Sequence, residues 1–187
     1  MQLNSSYYLS YKFANALFTG LSLGTVITIY APLEPSFFSL GGVFLAFGIL
    51  IVSKLYNKLF SLAWFFKLNL FVELVLLIIV GYFLYFKASY ESAVFVYLGY
   101  QLSFLFGNYL VRMETLFIQD ITIISKIDSI KQFGSLIGMG GAYLFYKFLK
   151  DKTNVEQIYM MHYMLFLLQF VVIILVYKSF KPNLYKK

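Results

Sequence analysis

Apolar residues in this chain run together in long blocks instead of alternating with polar ones. Six blocks have about the length that a helix needs to cross the hydrocarbon layer of a membrane, roughly 20 mostly apolar residues. We place the predicted spans at 13–33, 36–53, 68–86, 92–111, 132–149 and 158–177. Short polar stretches separate them, including "APLEPS", in which two prolines mark the first turn. The pattern predicts an all-α polytopic membrane protein with a single six-span transmembrane domain over residues 1–187.

Lysine and arginine are shared unequally between the two predicted membrane faces, and this bias predicts the orientation. With the N-terminus inside, the outer face carries only Lys87, Lys147, Lys150 and Lys152. The inner face carries Lys12, Lys54, Lys58, Lys67, Arg112, Lys126, Lys131, Lys178, Lys181, Lys186 and Lys187. We therefore predict that both termini are cytoplasmic. Because these charges are spread along one face, the net charge of +7 reflects topology and attraction to anionic lipid, not nucleic-acid binding.

Composition strengthens the membrane assignment. The chain is 61% hydrophobic and only 12% charged, about half the charged fraction of a soluble domain. The loops leave no room for a soluble catalytic domain, and the absence of cysteine excludes disulfides and thiol chemistry. The first twelve residues lack a basic region and a cleavage site, so we expect the first apolar block to remain in the mature protein. The compact loops favour a bacterial inner membrane.

Small residues recur at every fourth position in four spans, the spacing that allows helix backbones to touch in a membrane. The helix-packing candidates are Ala16, Gly20, Gly24 and Thr28 in span 1, Gly42 and Ala46 in span 2, Gly99, Ser103 and Gly107 in span 4, and Gly134, Gly138 and Ala142 in span 5. Spans 3 and 6 have no such series. We therefore predict close packing for spans 1, 2, 4 and 5, and a peripheral, lipid-facing position for spans 3 and 6.

Polar side chains at membrane depth face the bundle interior or a water-filled cavity. Spans 1 and 4 hold most of them, and the candidates for lining a cavity are Asn15, Thr19, Ser22, Gln101, Ser103 and Asn108. The alternative is that these groups only form hydrogen bonds between helices. The connection 120–132 repeats isoleucine at helical spacing, which predicts an amphipathic helix that lies at the membrane interface or extends span 5.

Glu73 is the most informative acid, because it lies about five residues into the predicted third span. A carboxylate at that depth needs a partner or takes up a proton. Glu73 is therefore a candidate for proton coupling, and the alternative is an interfacial ion pair with Lys67 or another basic residue near the cytoplasmic surface.

Arg112 is the only arginine and, with Glu114, closes span 4. We expect it to form an ion pair with Asp120, Asp128 or Glu114, and the alternative is contact with an anionic substrate.

The segment "MMHYM", 160–164, holds the only histidine, which we interpret as an interfacial residue and not a Cu(I) ligand. No nucleophile lies beside a base, and no metal-binding or phosphate-binding motif occurs in the sequence. We therefore predict no enzyme activity, no cofactor and no metal.

Six spans with this distribution of small residues resemble the N-terminal half of a major facilitator superfamily transporter. "SKLYNKL", 53–59, stands where that family has its basic loop between spans 2 and 3, but lacks the usual Gly and Asp. "GSLIGMGG", 134–141, resembles the glycine-rich motif of span 5, but lacks its proline. The resemblance implies that spans 1 and 4 line a cavity, spans 2 and 5 form a lateral interface, and spans 3 and 6 lie outside.

A single six-span half has one wall of a transport cavity and no opposite wall. We therefore predict a half-size facilitator-like transporter for a small solute, acting as a homodimer or with a membrane partner subunit. One alternative is the substrate-binding membrane subunit of an energy-coupling-factor importer, which also has six spans. The other is a membrane scaffold or assembly protein that transports nothing.

Overall fold

The structure is a computed structural model that describes residues 2–86 and 88–181, except for the side chain of residue 181. It is built almost entirely from helices, which confirms the all-α prediction. The helices are α1 (Ser5–Tyr30), α2 (Pro35–Lys54), α3 (Tyr56–Leu59), α4 (Leu62–Tyr85), α5 (Tyr90–Leu105), α6 (Gly107–Ile118), α7 (Ile121–Phe148) and α8 (Asn154–Ser179). Lys87, Lys186 and Lys187, which were used to predict the orientation, lie outside the described residues.

Five helical segments of the described chain are long and apolar enough to cross a membrane, which is consistent with an integral membrane protein. They are α1, α2, α4, the combined segment Tyr90–Ile118 and α8. The combined segment contains α5 and α6, which are interrupted only at Phe106. The predicted fifth span, apart from residue 149, lies within α7, which is not among the five.

Three helix starts differ from the predicted boundaries because polar residues cap them. Asn4 caps α1, accepting from the Tyr7 amide at 3.4 Å, so α1 begins eight residues before the predicted first span. Ser61 caps α4 in the same way, so α4 begins at Leu62 and not at residue 68. Asp120 caps α7, which runs without a break through the predicted amphipathic segment. That segment therefore extends the helix of the predicted fifth span.

The closest helix contact joins α1 and α7 through their glycines. A Cβ atom on Gly134 would lie 2.6 Å from the Phe13 carbonyl oxygen, and one on Gly138 would lie 2.6 Å from the Leu17 carbonyl oxygen. A Cβ on Gly20 would meet the α7 backbone at the same distance. Higher numbers on α1 face higher numbers on α7, so the two helices run parallel. These are glycines for which the sequence predicts close packing.

The other predicted packing positions give mixed results. Ala16 and Ala142 are buried, and Gly24 faces the ring of Tyr146. Gly99 packs against the Ile79 side chain of α4, so it does not touch another backbone. A Cβ added at Gly42 or at Gly107 would have no neighbour within 4 Å, so neither glycine makes a close contact within the single chain.

Within the single chain, spans 3 and 6 are not the peripheral spans that the sequence predicts. Their helices, α4 and α8, each bury a stripe of side chains along one face, whereas α2 buries only Gly41 and Val52. In α4 the stripe runs from Phe65 to Phe83. Bulky side chains provide this packing by filling the grooves of the facing helix, which requires no small residues.

The helices pack in a regular set of pairs. In the first half of the chain α1 packs against α7 and α8 of the second half. In the same way α5, from the second half, packs against α2 and α4 of the first half, and its contact with α2 is smaller than that of α1 with α7. The two remaining main pairs are α4 with α8 and α1 with α5. At one end, β1 (Gln2–Leu3) pairs antiparallel with β2 (Phe180–Lys181). This pairing places both ends of the described chain at the same end of the bundle.

Candidate functional site

Glu73 lies near the middle of α4 and is fully buried. It follows Leu62, the first residue of the helix, by eleven positions, or about 16 Å at 1.5 Å per residue. Glu73 therefore lies further along its helix than the predicted span start at residue 68 indicated, because α4 begins at Leu62 after the cap at Ser61. A carboxyl group at this depth cannot reach water by extending its side chain, so its partners must come from the protein.

Three side chains donate hydrogen bonds to the Glu73 carboxyl group. Its Oε1 accepts from the Tyr11 hydroxyl at 2.9 Å and from Asn15 Nδ2 at 2.8 Å, both on α1. Its Oε2 accepts from Gln169 Nε2 of α8 at 2.8 Å, and the same nitrogen also lies 2.9 Å from the Glu73 carbonyl oxygen. Donors from two helices therefore hold the carboxyl group of a third.

Asn69 adds a fifth side chain, one turn before Glu73 on α4. Its Nδ2 donates to the Phe65 carbonyl oxygen, which directs its Oδ1 to the Tyr11 hydroxyl, 3.1 Å away. That hydroxyl lies between two acceptors and has only one proton, so it can satisfy only one of them at a time. Gln169 Oε1 is buried with no hydrogen-bond partner in the described part of the chain. The shared Tyr11 proton and the unpartnered Gln169 Oε1 thus leave acceptor oxygens of the cluster unsatisfied among the described residues.

A second polar group lies beside this cluster, between α1 and α6. Lys12 forms an ion pair with Glu114 Oε2, and the Tyr8 hydroxyl donates to the same oxygen. The Lys12 ammonium also lies over the rings of Tyr8 and Tyr11, 5.1 and 5.4 Å from their centroids. Because Lys12 and Tyr11 are neighbours in sequence, the ion pair and the Glu73 cluster meet on adjacent positions of α1.

The structure corrects the predicted ion pairs. Lys67 lies over the Trp64 ring and does not pair with Glu73, which has no cationic side chain within ion-pair distance among the described residues. Glu114 pairs with Lys12 and not with Arg112. Arg112 is exposed, and none of the described carboxylates lies within ion-pair distance of it.

The predicted cavity residues do not form one group. Asn15 joins the Glu73 cluster, whereas Thr19 is exposed and donates to the Asn15 carbonyl oxygen. Ser22 and Ser103 are buried and donate to backbone carbonyls of their own helices. Gln101 is half-buried, and its Oε1 has no hydrogen-bond partner among the described residues. Asn108 borders a separate cleft together with Arg112.

Sequence reasoning missed Tyr8, Tyr11, Lys12, Asn69 and Gln169. One signal was available: Asn69 and Glu73 are four residues apart, so they lie on one face of a helix that is otherwise apolar. Gln169 gave a similar signal as the one amide within "FLLQFVV". The absence of small residues predicted a peripheral position for the two spans that carry these polar residues.

Comparisons with protein-family models, with curated proteins and with solved structures find no match for this chain. No group of three or more histidine, cysteine, aspartate or glutamate side chains able to hold a metal ion occurs among the residues that the structure describes. The arrangement is therefore interpreted from its own geometry: a carboxyl group inside a helix bundle, held by neutral donors, next to a buried ion pair.

Proposed function

We propose that this protein is a half-size, facilitator-like transporter for a small solute, with six membrane spans, that works as a homodimer in a bacterial inner membrane. A count of crossings supports six spans. Both ends of the described chain lie at the same end of the bundle, so an even number of helices must cross. Because the five apolar segments are an odd number, one further helix must cross. We assign this crossing to α7, which is about 42 Å long and runs parallel to α1.

The observation that carries the proposal is the pairing of the helices. Suppose that the positions of α1 and α5, of α2 and α7, and of α4 and α8 are interchanged. Each main helix–helix contact then falls on another main contact of the same structure. The first three spans are thus related to the last three as one repeat to another. Because each repeat has three spans, the second begins on the opposite side of the membrane. Inverted repeats of this kind occur in many transporters, including each half of the major facilitator fold.

The exposed faces of α2 and α7 support the homodimer. Both helices have few buried residues in the single chain, and α2 buries only two. Their apolar outer faces include Val43, Phe44 and Phe47 on α2, and Leu136 and Tyr143 on α7. In the exchange described above these two helices are equivalent. A two-fold dimer can therefore place α2 of one chain against α7 of the other, which supplies the wall that one half lacks.

Cysteine cross-linking between two differently labelled chains tests the dimer directly, since the native chain has no cysteine. Gly42→Cys in one chain and Gly140→Cys in the other are suitable because both positions face open space. Leu167→Cys on the outer face of α8, where the side chain is 68% exposed, is the matched control. We expect a mixed Gly42–Gly140 cross-link and little cross-linking at residue 167. Cross-linking at residue 167 equal to that between Gly42 and Gly140, or a strict monomer in nanodiscs, would contradict the proposal.

Within this carrier we assign proton coupling to Glu73. Infrared difference spectroscopy across a pH titration detects a protonated carboxyl group by its carbonyl stretching band and needs no knowledge of the solute. We expect a titrating band that disappears in Glu73→Gln and persists in Glu156→Gln, which removes an exposed carboxylate. A spectrum unaffected by the first substitution would exclude this role for Glu73.

A scaffold that transports nothing is the second candidate, and the closed Glu73 cluster favours it. Glu73, Asn69 and Gln169 are each fully buried and Asn15 is half-buried, so the carboxyl group itself is closed off from water in this conformation. A purely structural cluster would show no titrating carboxyl band, and the chain would have no need of a second copy. The two experiments above therefore distinguish the two candidates.

A further inference from the structure

Arg112 borders a cleft of about 700 Å³ that lies between α2 and α6. Three side chains at its edge can donate hydrogen bonds and have no hydrogen-bond or ion-pair partner in the described part of the chain: Arg112, Asn108 and Tyr56. Arg112 and Asn108 are four residues apart on α6, so they share one face of that helix. Tyr56 comes from α3, at the end of α2, and its ring packs against Tyr109.

The rest of the cleft defines what it can bind. No carboxylate lines it, so the guanidinium meets no competing anion there. The two other hydroxyl groups in the lining already donate to carbonyls of their own helices. Ile49 on α2, together with Val111 and Leu116 on α6, supplies apolar surface next to the donors. The volume is within the range of sites that hold small organic molecules.

We propose that this cleft is a binding site for an amphipathic organic anion. A carboxylate or phosphate group of the ligand accepts hydrogen bonds from Arg112 and Asn108, and its aliphatic part lies against Ile49, Val111 and Leu116. Arginine is suited to this because its planar donor fork matches two anionic oxygens at once. The site does not depend on whether the protein transports a solute. The anion can be a free amphipathic molecule or the headgroup of an anionic lipid, because both present the same chemistry.

Binding measurements with two probes test the site and separate the two sources. Titration calorimetry in an uncharged detergent compares decanoate with decanol, which has the same chain but no charge. Native mass spectrometry then compares lipid retention from nanodiscs of phosphatidylglycerol and of phosphatidylcholine. Arg112→Gln removes the charge and Arg112→Lys keeps it without the fork. Lys126→Gln is the matched control, since Lys126 is exposed and is also predicted to be cytoplasmic.

We expect Arg112→Gln to weaken binding roughly tenfold to a hundredfold, the cost of losing a charged hydrogen bond, with Arg112→Lys intermediate and Lys126→Gln unchanged. Asn108→Ala should weaken binding about two- to tenfold and provides a second test if an arginine variant does not fold. Charge-dependent decanoate binding identifies a free anion, and retention of phosphatidylglycerol alone identifies a lipid. The proposal fails if decanol binds as tightly as decanoate and phosphatidylglycerol is retained no better than phosphatidylcholine. It fails equally if Lys126→Gln has the effect of Arg112→Gln.

Discussion

Replacing Gly138 by alanine should separate α1 from α7. The new Cβ would lie 2.6 Å from the Leu17 carbonyl oxygen, 2.9 Å from Gly20 Cα and 3.0 Å from the Leu21 amide nitrogen. All three are backbone atoms, so no side chain can turn aside. Ordinary contact begins near 3.4 Å, so the two backbones must move apart by about 0.8 Å, the difference between 3.4 and 2.6 Å.

The expected cost follows from two opposing effects. Adding a methyl group to a tightly packed position costs about 1–3 kcal/mol, and exchanging glycine for alanine in a helix returns up to about 1 kcal/mol. We therefore expect Gly138→Ala to lower the free energy of unfolding by about 1–2 kcal/mol. Gly140→Ala, measured on the monomer, is the matched control on the same helix, because a Cβ there has no neighbour within 4 Å in the single chain. It should leave stability unchanged or raise it.

Reversible unfolding in mixed micelles, driven by increasing sodium dodecyl sulfate and followed by circular dichroism, measures both variants under the same conditions. The double variant Gly20→Ala/Gly138→Ala adds a sharper test. These glycines face each other, so once one substitution has separated the helices the second should cost less. Equal stability of Gly138→Ala and Gly140→Ala would refute the close contact. Strict additivity in the double variant would refute the idea that both glycines serve one contact.

Three further outcomes follow from the buried polar groups and the chain ends. Glu73→Ala should destabilise the fold by about 2–4 kcal/mol because it removes the acceptor that three donors share and leaves Asn15 Nδ2 unpaired, whereas Glu73→Gln keeps an acceptor oxygen and should cost less in the same unfolding assay. Lys12→Met should cost about 3 kcal/mol by leaving Glu114 without its cation, and Lys12→Met/Glu114→Met should recover most of this loss; failure to recover would contradict the ion pair. Leu3→Cys/Phe180→Cys should form a disulfide under mild oxidation, seen by gel mobility against either single variant, because these residues are paired in β1 and β2; no disulfide would mean that the chain ends lie apart.

The two glycine faces that meet between α1 and α7 were predictable from sequence because their signal is local, whereas their pairing was not. Gly134 and Gly138 are spaced to lie on one helix face, and in a membrane helix such a face has few uses other than close approach. The partner on α1 carries the same spacing, with Gly20 opposite Gly138. A local pattern therefore identified both sides of the contact. The same spacing does not produce a close contact at Gly107, which follows the interruption at Phe106 and where an added Cβ would have no neighbour within 4 Å.

The Glu73 cluster was not predictable in the same way, because its members come from distant parts of the chain. Asn15 is 58 positions from Glu73, and Gln169 is 96 positions away. No spacing rule connects residues so far apart. The position of Glu73 along its helix also depends on where α4 begins, and the cap at Ser61 sets that first residue. Bulky packing of α4 on α8 leaves no comparable pattern, since large apolar residues suit lipid and protein neighbours equally.

The two features that most define this fold both depend on the rotation of α1. Its residues 13, 16, 17 and 20 face α7, whereas Tyr11 and Asn15 face Glu73 on α4. These two sets lie on different sides of one helix, so a single rotation of α1 must satisfy both. Turning α1 by one residue, about 100°, would place side chains such as Leu17 or Leu21 nearer the contact position and move Asn15 away from the carboxyl group. The glycine contact therefore fixes the orientation of Tyr11 and Asn15, the two donors to Glu73 that lie on α1. A substitution at Gly138 should for this reason also disturb the carboxyl cluster.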